Sequence, residues 1–272
     1  MRGDYPSCSM DAPYFLPLVG LAAAVGAMMN AVAGGGTLVT FPALVALGVP
    51  PITANATSTV ALWPGTMLSM WGYRRELVGA RRWATAFAVP SFAGGIVGAL
   101  LLLQTPEKRF AALVPWLILG ATALFILQRP LMRLLAERGG LRREIAGADG
   151  HLLPPSAAFL AYQFGVSIYG GYFGAGAGIL MLAALGLMGL TNIHQMNGLK
   201  NWGGGVMNLV AVGVFAVSGI VDWRIALAMA IGAGAGGIAG SLLAQRVGQV
   251  WVRRAIVSIG LGSGLAMLFG LI

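Results

Sequence analysis

From Ala12 to Tyr73 the chain runs without one Asp, Glu, Lys or Arg, and the stretch from Gly150 to Leu199 is equally free of them. Water-soluble chains cannot keep stretches of this kind in solution, whereas a helix of roughly 20 apolar residues spans a hydrocarbon layer of about 30 Å. Further uncharged runs cover Trp83 to Pro106, Phe110 to Gln128, Asn201 to Val221, Ile225 to Gln245 and Ala255 to Ile272. Only 9% of the 272 residues are charged and 58% are hydrophobic, against about 25% charged in soluble chains. An all-α polytopic membrane protein is predicted, and the two longest runs must fold back within the layer.

The net charge of +9 does not point to nucleic acid, because the basic residues lie at the ends of apolar runs, where they orient a membrane protein. No nucleic-acid partner is expected; the lipid bilayer is. Cys8 is the only cysteine, so no internal disulfide forms. The stretch before Tyr14 has no cleavage site after a short apolar core and is expected to remain as a tail.

The chain also repeats itself. One ungapped shift, the one that lays Asn55 on Asn197, also pairs Gly34, Gly36 and Leu38 with Gly176, Gly178 and Leu180, and the run from Gly94 to Leu101 with that from Gly236 to Leu243. The expected organisation is a tail at 1–13, a first transmembrane repeat at 14–128, a basic cytoplasmic linker at 129–155 and a second repeat at 156–272. The loop from Arg74 to Arg82 carries four basic residues, the linker five and the loop from Arg246 to Arg254 three, against two at Lys108 and Arg109 and one at Arg224. Inverted halves put twelve of these on the cytoplasmic side and parallel halves ten, so inverted repeats with both termini outside are expected. Each half then needs an odd number of crossings. About ten segments satisfy this, with eight full spans plus two re-entrant hairpins as the other count, and 8–10 transmembrane segments with broken helices is the resulting range.

The breaks are predicted at "NAVAGGGTLVTFP", through Gly34, Gly35, Gly36 and Pro42, and at "GGYFGAGAGILML", through Gly174, Gly176 and Gly178. Broken helices at matching places in two halves are the sequence mark of a transporter's central site, since free backbone groups survive in a membrane only where protein or a water-filled cavity satisfies them. Glycines spaced by four, Gly94 and Gly98, then Gly232, Gly236 and Gly240, then Gly260 and Gly264, read instead as close helix packing. Trp71, Trp83, Trp223 and Trp251, beside charged loops, read as interface anchors.

Two polar clusters follow the breaks, "TANATST" and "HQMNGLKNW". Lys200 is the one lysine or arginine between Asp149 and Asp222. A lysine at mid-membrane is a functional-site hypothesis by default, costing about 2.5–3.5 kcal/mol, and no carboxylate in either long run can pair with it. The expected partner is a bound anion, with Asn55, Thr57, Ser58, Thr59, Asn197, Asn201, Trp202 and His194 as further candidate substrate ligands. Snorkelling of its ammonium to an interface is the other reading. Helix starts exposed at the breaks would add partial positive charge.

The segments "AVAGGGTLVTFPALVALGVPP" and "TANATSTVAL", with "GGIVGALLL" and its match "GGIAGSLLA", resemble the TauE/SafE family of sulfite and organosulfur-compound exporters of bacterial cytoplasmic membranes. The resemblance implies a small-anion carrier of the inner membrane, exporting sulfite, thiosulfate or a sulfonate such as sulfoacetate by alternating access, with protons as a candidate coupling ion. In the second half "GAGAGILMLAAL" lacks the third consecutive glycine and the proline, and "MNGLKN" replaces the hydroxyl-rich pair. Another small oxyanion or carboxylate is the alternative cargo. A membrane-embedded enzyme or accessory protein is the alternative class, but no nucleophile, base and oxyanion set is evident, and His151 and His194 are the only imidazoles. No catalytic residue, metal ligand set or cofactor is expected.

Overall fold

The computed structural model describes residues 14–78, 80–137, 155–188, 190, 192–243 and 249–271. Cys8, His151 and most of the linker lie outside these residues. Every regular element among them is a helix. The first half holds α1 (Phe15–Ala33), α2 (Thr37–Ala46), α3 (Pro51–Gly72), the short α4 (Arg74–Val78), α5 (Arg81–Gln104) and α6 (Glu107–Glu137). The second holds α7 (Ala157–Tyr172), α8 (Ala177–Leu187), α9 (Ile193–Ser218), α10 (Trp223–Leu243) and α11 (Gln249–Leu268). Among the described residues four helices, α5, α6, α9 and α10, are both long and apolar enough to cross a membrane.

The helix ends follow from local chemistry. α1 stops at Gly34, whose φ of 82° is the left-handed cap that glycine reaches without a Cβ penalty, and its N–H bonds back to Asn30 O. α3 starts on Pro51, where the missing N–H is no loss. Asn192 caps α9 by accepting from the amides of His194 and Gln195, and Asp222 Oδ1 accepts from Ile225 N at the start of α10. Pro42 breaks nothing: it lies inside α2, giving up one intrahelical bond in a helix whose break is already supplied by the glycines before it.

α1 and α10 pack side by side and run the same way, since Gly232, Gly236 and Gly240 sit against Gly20, Ala24 and Met28 in turn. α3 runs with them, Gly65 lying on Ala233 and Gly72 on Ser241. α7 likewise runs with α5, Gly94 and Gly98 resting on the carbonyls of Phe164 and Ile168. Added methyl groups on Gly98, Gly232 and Gly236 would lie 2.0–2.1 Å from a backbone oxygen, so these glycines serve close packing as expected. Gly260 and Gly264 do the same between α11 and α6, against Thr122 and Leu119.

These contacts also fix the two ends of the bundle. At one end Ile52 N donates to Glu107 Oε1 and Asp222 N to Thr57 Oγ1, both at 3.0 Å, so α3, α6 and α10 begin together. At the other, the His194 ring stacks on Tyr73. The α1–α2 hairpin enters and leaves at the first end, because α2 folds back on α1 with Gly36 and Thr40 beside Gly26 and leads to the start of α3. The shorter pair α7–α8 enters and leaves at the second.

Paired contacts refine the repeat. Gly95 lies on Met207 O and Gly237 on Gly65 O, and both partners in these two contacts correspond under the shift that lays Asn55 on Asn197. Two further pairs match differently: Gly236 on Ala24 O answers Gly94 on Phe164 O, and Gly240 on Met28 O answers Gly98 on Ile168 O. These relate α1 to α7 by laying Ala24 on Phe164 and Met28 on Ile168, a shift shorter by two positions. Gly34 and Gly174 are accordingly the matching left-handed turns, with φ of 82° and 81°. The single ungapped register therefore misplaces the glycine turns by two positions, which one extra residue in α8 and one between α8 and α9 absorb. Trp83 differs from expectation as well: it is fully buried, packed among Phe87 and Phe159, because it faces the inside of α5 rather than the lipid boundary. Trp71 and Trp223 are exposed, and the side chain of Trp251 lies outside the described residues.

Candidate functional site

Both breaks meet at the centre. Gly34 abuts Gly178, with room for no side chain between the two backbones: a Cβ on either would come within 2.9 Å of the other's Cα. Around this contact lies a cavity of about 40 Å³ lined by Asn30, Gly34, Thr37, Thr59, Leu62, Thr66, Gly174, Ala177, Gly178, Met181, Lys200, Asn201, Gly204, Met207 and Asn208. At 10–15 Å³ per water-sized occupant it admits roughly three. The starts of α2 and α8 both open on it through Thr37, Ala177 and Gly178, and neither start carries a side-chain cap. Two helix N-termini thus bring partial positive charge to one small space, while the amides of Leu38, Val39, Ala177 and Ile179 donate to Gly35 O, Gly36 O, Gly174 O and Gly176 O.

Lys200 enters from α9 and is 3% exposed. Its aliphatic stem passes against Gly178. Its ammonium donates to Asn30 O at 2.6 Å and reaches Ala31 O at 3.4 Å, so the terminal carbonyls of α1 hold it. Snorkelling is therefore not its arrangement: the charge stays at the centre, against the negative end of the α1 dipole. Asn201 stands beside it with 1% exposure, and neither its Oδ1 nor its Nδ2 has a hydrogen-bond partner. An amide left in this state gives up about 1–3 kcal/mol, which makes it the most available ligand in the cavity. Asn30 Nδ2 donates to Thr66 Oγ1 at 3.2 Å.

Of the candidate ligands, Thr59, Lys200 and Asn201 line the cavity. The others are placed elsewhere. Asn55 is buried and donates to Tyr172 O at 2.9 Å, tying α3 to the end of α7, with its Oδ1 unpartnered. Thr57 accepts from Asp222 N at 3.0 Å, and Ser58 Oγ lies 2.5 Å from Thr40 Oγ1. Asn197 is buried with Oδ1 unpartnered, off the cavity. Trp202 donates to Ala84 O at 2.7 Å, and His194 stacks on Tyr73 at the end of the bundle. Among the predicted breaks Gly34, Gly35, Gly36, Gly174 and Gly176 lie between helices, while Gly178 falls in the first turn of α8.

Sequence reasoning missed Asn30, Thr37, Thr66 and Asn208. Helical spacing carried the signal for two of them: Gly204 and Asn208 stand one and two turns beyond Lys200, and Thr66 stands two turns beyond Thr59, on the same faces. A larger, mostly apolar groove of about 480 Å³ lies at the first end of the bundle, beside Val49, Lys108 and Met267, and holds none of the candidate ligands.

A sequence model for a protein family described as "Sulfite exporter TauE/SafE" matches residues 18–267. The chain belongs to that family. This TauE/SafE member is 27% identical over 259 residues to "Probable membrane transporter protein ORF9" of Sinorhizobium sp, covering 94% of the chain and 93% of the relative. It is 28% identical over 236 residues to a "Probable membrane transporter protein" of Haemophilus influenzae, covering 86% of each, and 27% identical over 257 residues to "Probable membrane transporter protein YfcA" of Escherichia coli K12, covering 94% of the chain and 90% of the relative. No solved structure matches the chain significantly. The TauE/SafE chain is a multi-pass membrane transporter, and its central cavity lies where interrupted helices put a transporter's binding site.

Proposed function

We propose that the protein carries a small anionic sulfur compound, such as sulfite, thiosulfate or sulfoacetate, out across the bacterial inner membrane by alternating access. One observation carries the reading. The buried ammonium of Lys200, the unpartnered amide of Asn201 and two uncapped helix starts surround a cavity with no acidic residue in its lining. That surface suits a compact oxyanion: charge is met by Lys200 and the helix starts, and oxygens by amide and hydroxyl hydrogens from Asn201, Thr37 and Asn208. Leu62, Met181 and Met207 supply the apolar wall.

In this reading the two halves are inverted across the bilayer. The end carrying Arg74, Arg75, Arg81 and Arg82 faces the cytoplasm and both termini face the periplasm, in keeping with the basic loops. The hairpins α1–α2 and α7–α8 then open towards opposite faces, and rocking of one half on the other exposes the cavity to each in turn. Asn55 and Ser58, which hold the hairpins, and Thr57, which holds the start of α10, act behind the site rather than on the cargo. A flux screen in liposomes against sulfite, thiosulfate, sulfoacetate, taurine and acetate at two pH values tests this. Uptake of a sulfur oxyanion that is lost in Lys200→Gln is the expected result; flux of acetate alone, or flux unchanged in Lys200→Gln, overturns the sulfur-anion reading.

A further inference from the structure

The partner of Lys200 is the unexpected feature of the cavity. Its ammonium rests on the last turn of α1, at the negative end of the helix dipole, and shares Asn30 O with the Gly34 amide, which donates to it at 3.0 Å. Asn30 O lies 2.6 Å away and Ala31 O 3.4 Å. Asn201, with an unpartnered Oδ1, and Thr66, with its hydroxyl, line the same space. Carbonyls at the C-terminal end of an interrupted helix are the donors that transporters use for a monovalent cation; here two of them hold the ammonium, and Asn201 Oδ1 stays unpartnered in the same cavity.

We propose that the end of α1 is a monovalent-cation site whose resident ion is the chain's own ammonium, tethered from the opposite half. This rests on reading the cavity as a transport site. The tether has two consequences. Free Na⁺ is excluded from the wild-type site, so transport by the intact protein is independent of Na⁺. The cation that faces the anionic cargo cannot leave with it, and its bonds to Asn30 and Ala31 hold α9 to α1 until cargo competes for the charge.

Removing the side chain should turn the tethered ion into a free one. The test measures thermal unfolding of purified wild type, Lys200→Ala, Lys200→Ser and Lys200→Met at equal concentrations of choline, sodium and methylammonium chloride. A ligand that binds only the folded state raises Tm by roughly 3 °C at ten times its Kd in a chain of this size. Lys200→Ala and Lys200→Ser should gain that increment from methylammonium or sodium over choline. Wild type, whose site is filled by its own ammonium, and Lys200→Met, whose site is filled by an uncharged chain, should gain none. Equal Tm of the Ala and Ser variants in all three salts overturns the proposal, as does an equal gain in Lys200→Met, or failure of both small variants to fold even in methylammonium. Flux of labelled sulfite is read separately: wild type that moves none while Lys200→Ala is stabilised by methylammonium sinks the cargo and leaves the cation site standing.

Discussion

Gly236→Ala tests the seam that holds the interrupted helix α1 in place. A methyl group at this position would lie 2.0 Å from Ala24 O, 2.7 Å from its carbonyl carbon and 2.8 Å from its Cα. All three atoms are backbone, so no side-chain rotation relieves the clash, and the oxygen must retreat to at least 3.4 Å for ordinary contact. That retreat also opens the seam where Gly232 packs on Gly20 and Gly240 on Met28. Overpacking typically destabilises by about 1–3 kcal/mol, and a clash with rigid backbone belongs at about 3 kcal/mol. At roughly 2–4 °C per kcal/mol this lowers Tm by about 6–12 °C, read by tryptophan fluorescence in detergent. Gly213→Ala is the control: an added methyl there meets nothing within 4 Å on α9, and helix propensity should hold the stability or raise it by up to about 1 kcal/mol. If Gly236→Ala melts at the wild-type temperature, the α1–α10 seam is not closed as described, and the position of the Lys200 site built on α1 goes with it.

Three further outcomes are expected. Asn201→Ala leaves Tm unchanged or raised, because it deletes an amide without partners that gives up about 1–3 kcal/mol when buried, while sulfite KM in liposomes rises; a fall in Tm with unaltered KM would show a structural amide instead. Asn55→Ala lowers stability by about 1–3 kcal/mol in melting assays, as it strips the Tyr172 carbonyl of its donor, and an unaltered Tm would contradict that bond. In a Cys8→Ser background, cysteines at Arg81 and Arg254 should react with an impermeant thiol reagent from one membrane face and a cysteine at Lys108 from the other; labelling of Arg81 and Arg254 from opposite faces contradicts the inverted arrangement.

Much of the architecture was legible because lipid leaves few options. Long uncharged runs had to be helical, glycines spaced by four had to be seams, and three adjacent glycines could not serve one helical face. The charge of Lys200 in an apolar stretch pointed to the central cavity that its side chain lines. What escaped was set by facing rather than composition. Asn55, Thr57 and Ser58 share a polar cluster with Thr59, yet successive helical residues point about 100° apart, and only Thr59 reaches the cavity. Trp83 sits beside arginines in sequence but turns inward. The offset of the glycine turns was invisible because glycines are dense enough in both halves to match in either register. The carbonyls that hold Lys200 belong to backbone, which every residue supplies and no sequence pattern marks.

Trp63 Nε1 donates to Gly205 O at 3.1 Å, and these two positions are each other's counterparts under the shift that lays Asn55 on Asn197. A bond between counterparts is the one that trading the roles of the two halves leaves where it was. It can serve as a fixed pivot while the neighbouring contacts trade places. The pivot is lopsided, since an indole projects from one half and the other offers only a glycine carbonyl. If the carrier alternates between two forms, a bond kept in both favours neither, and any tilt of the resting population has to come from the contacts that trade places.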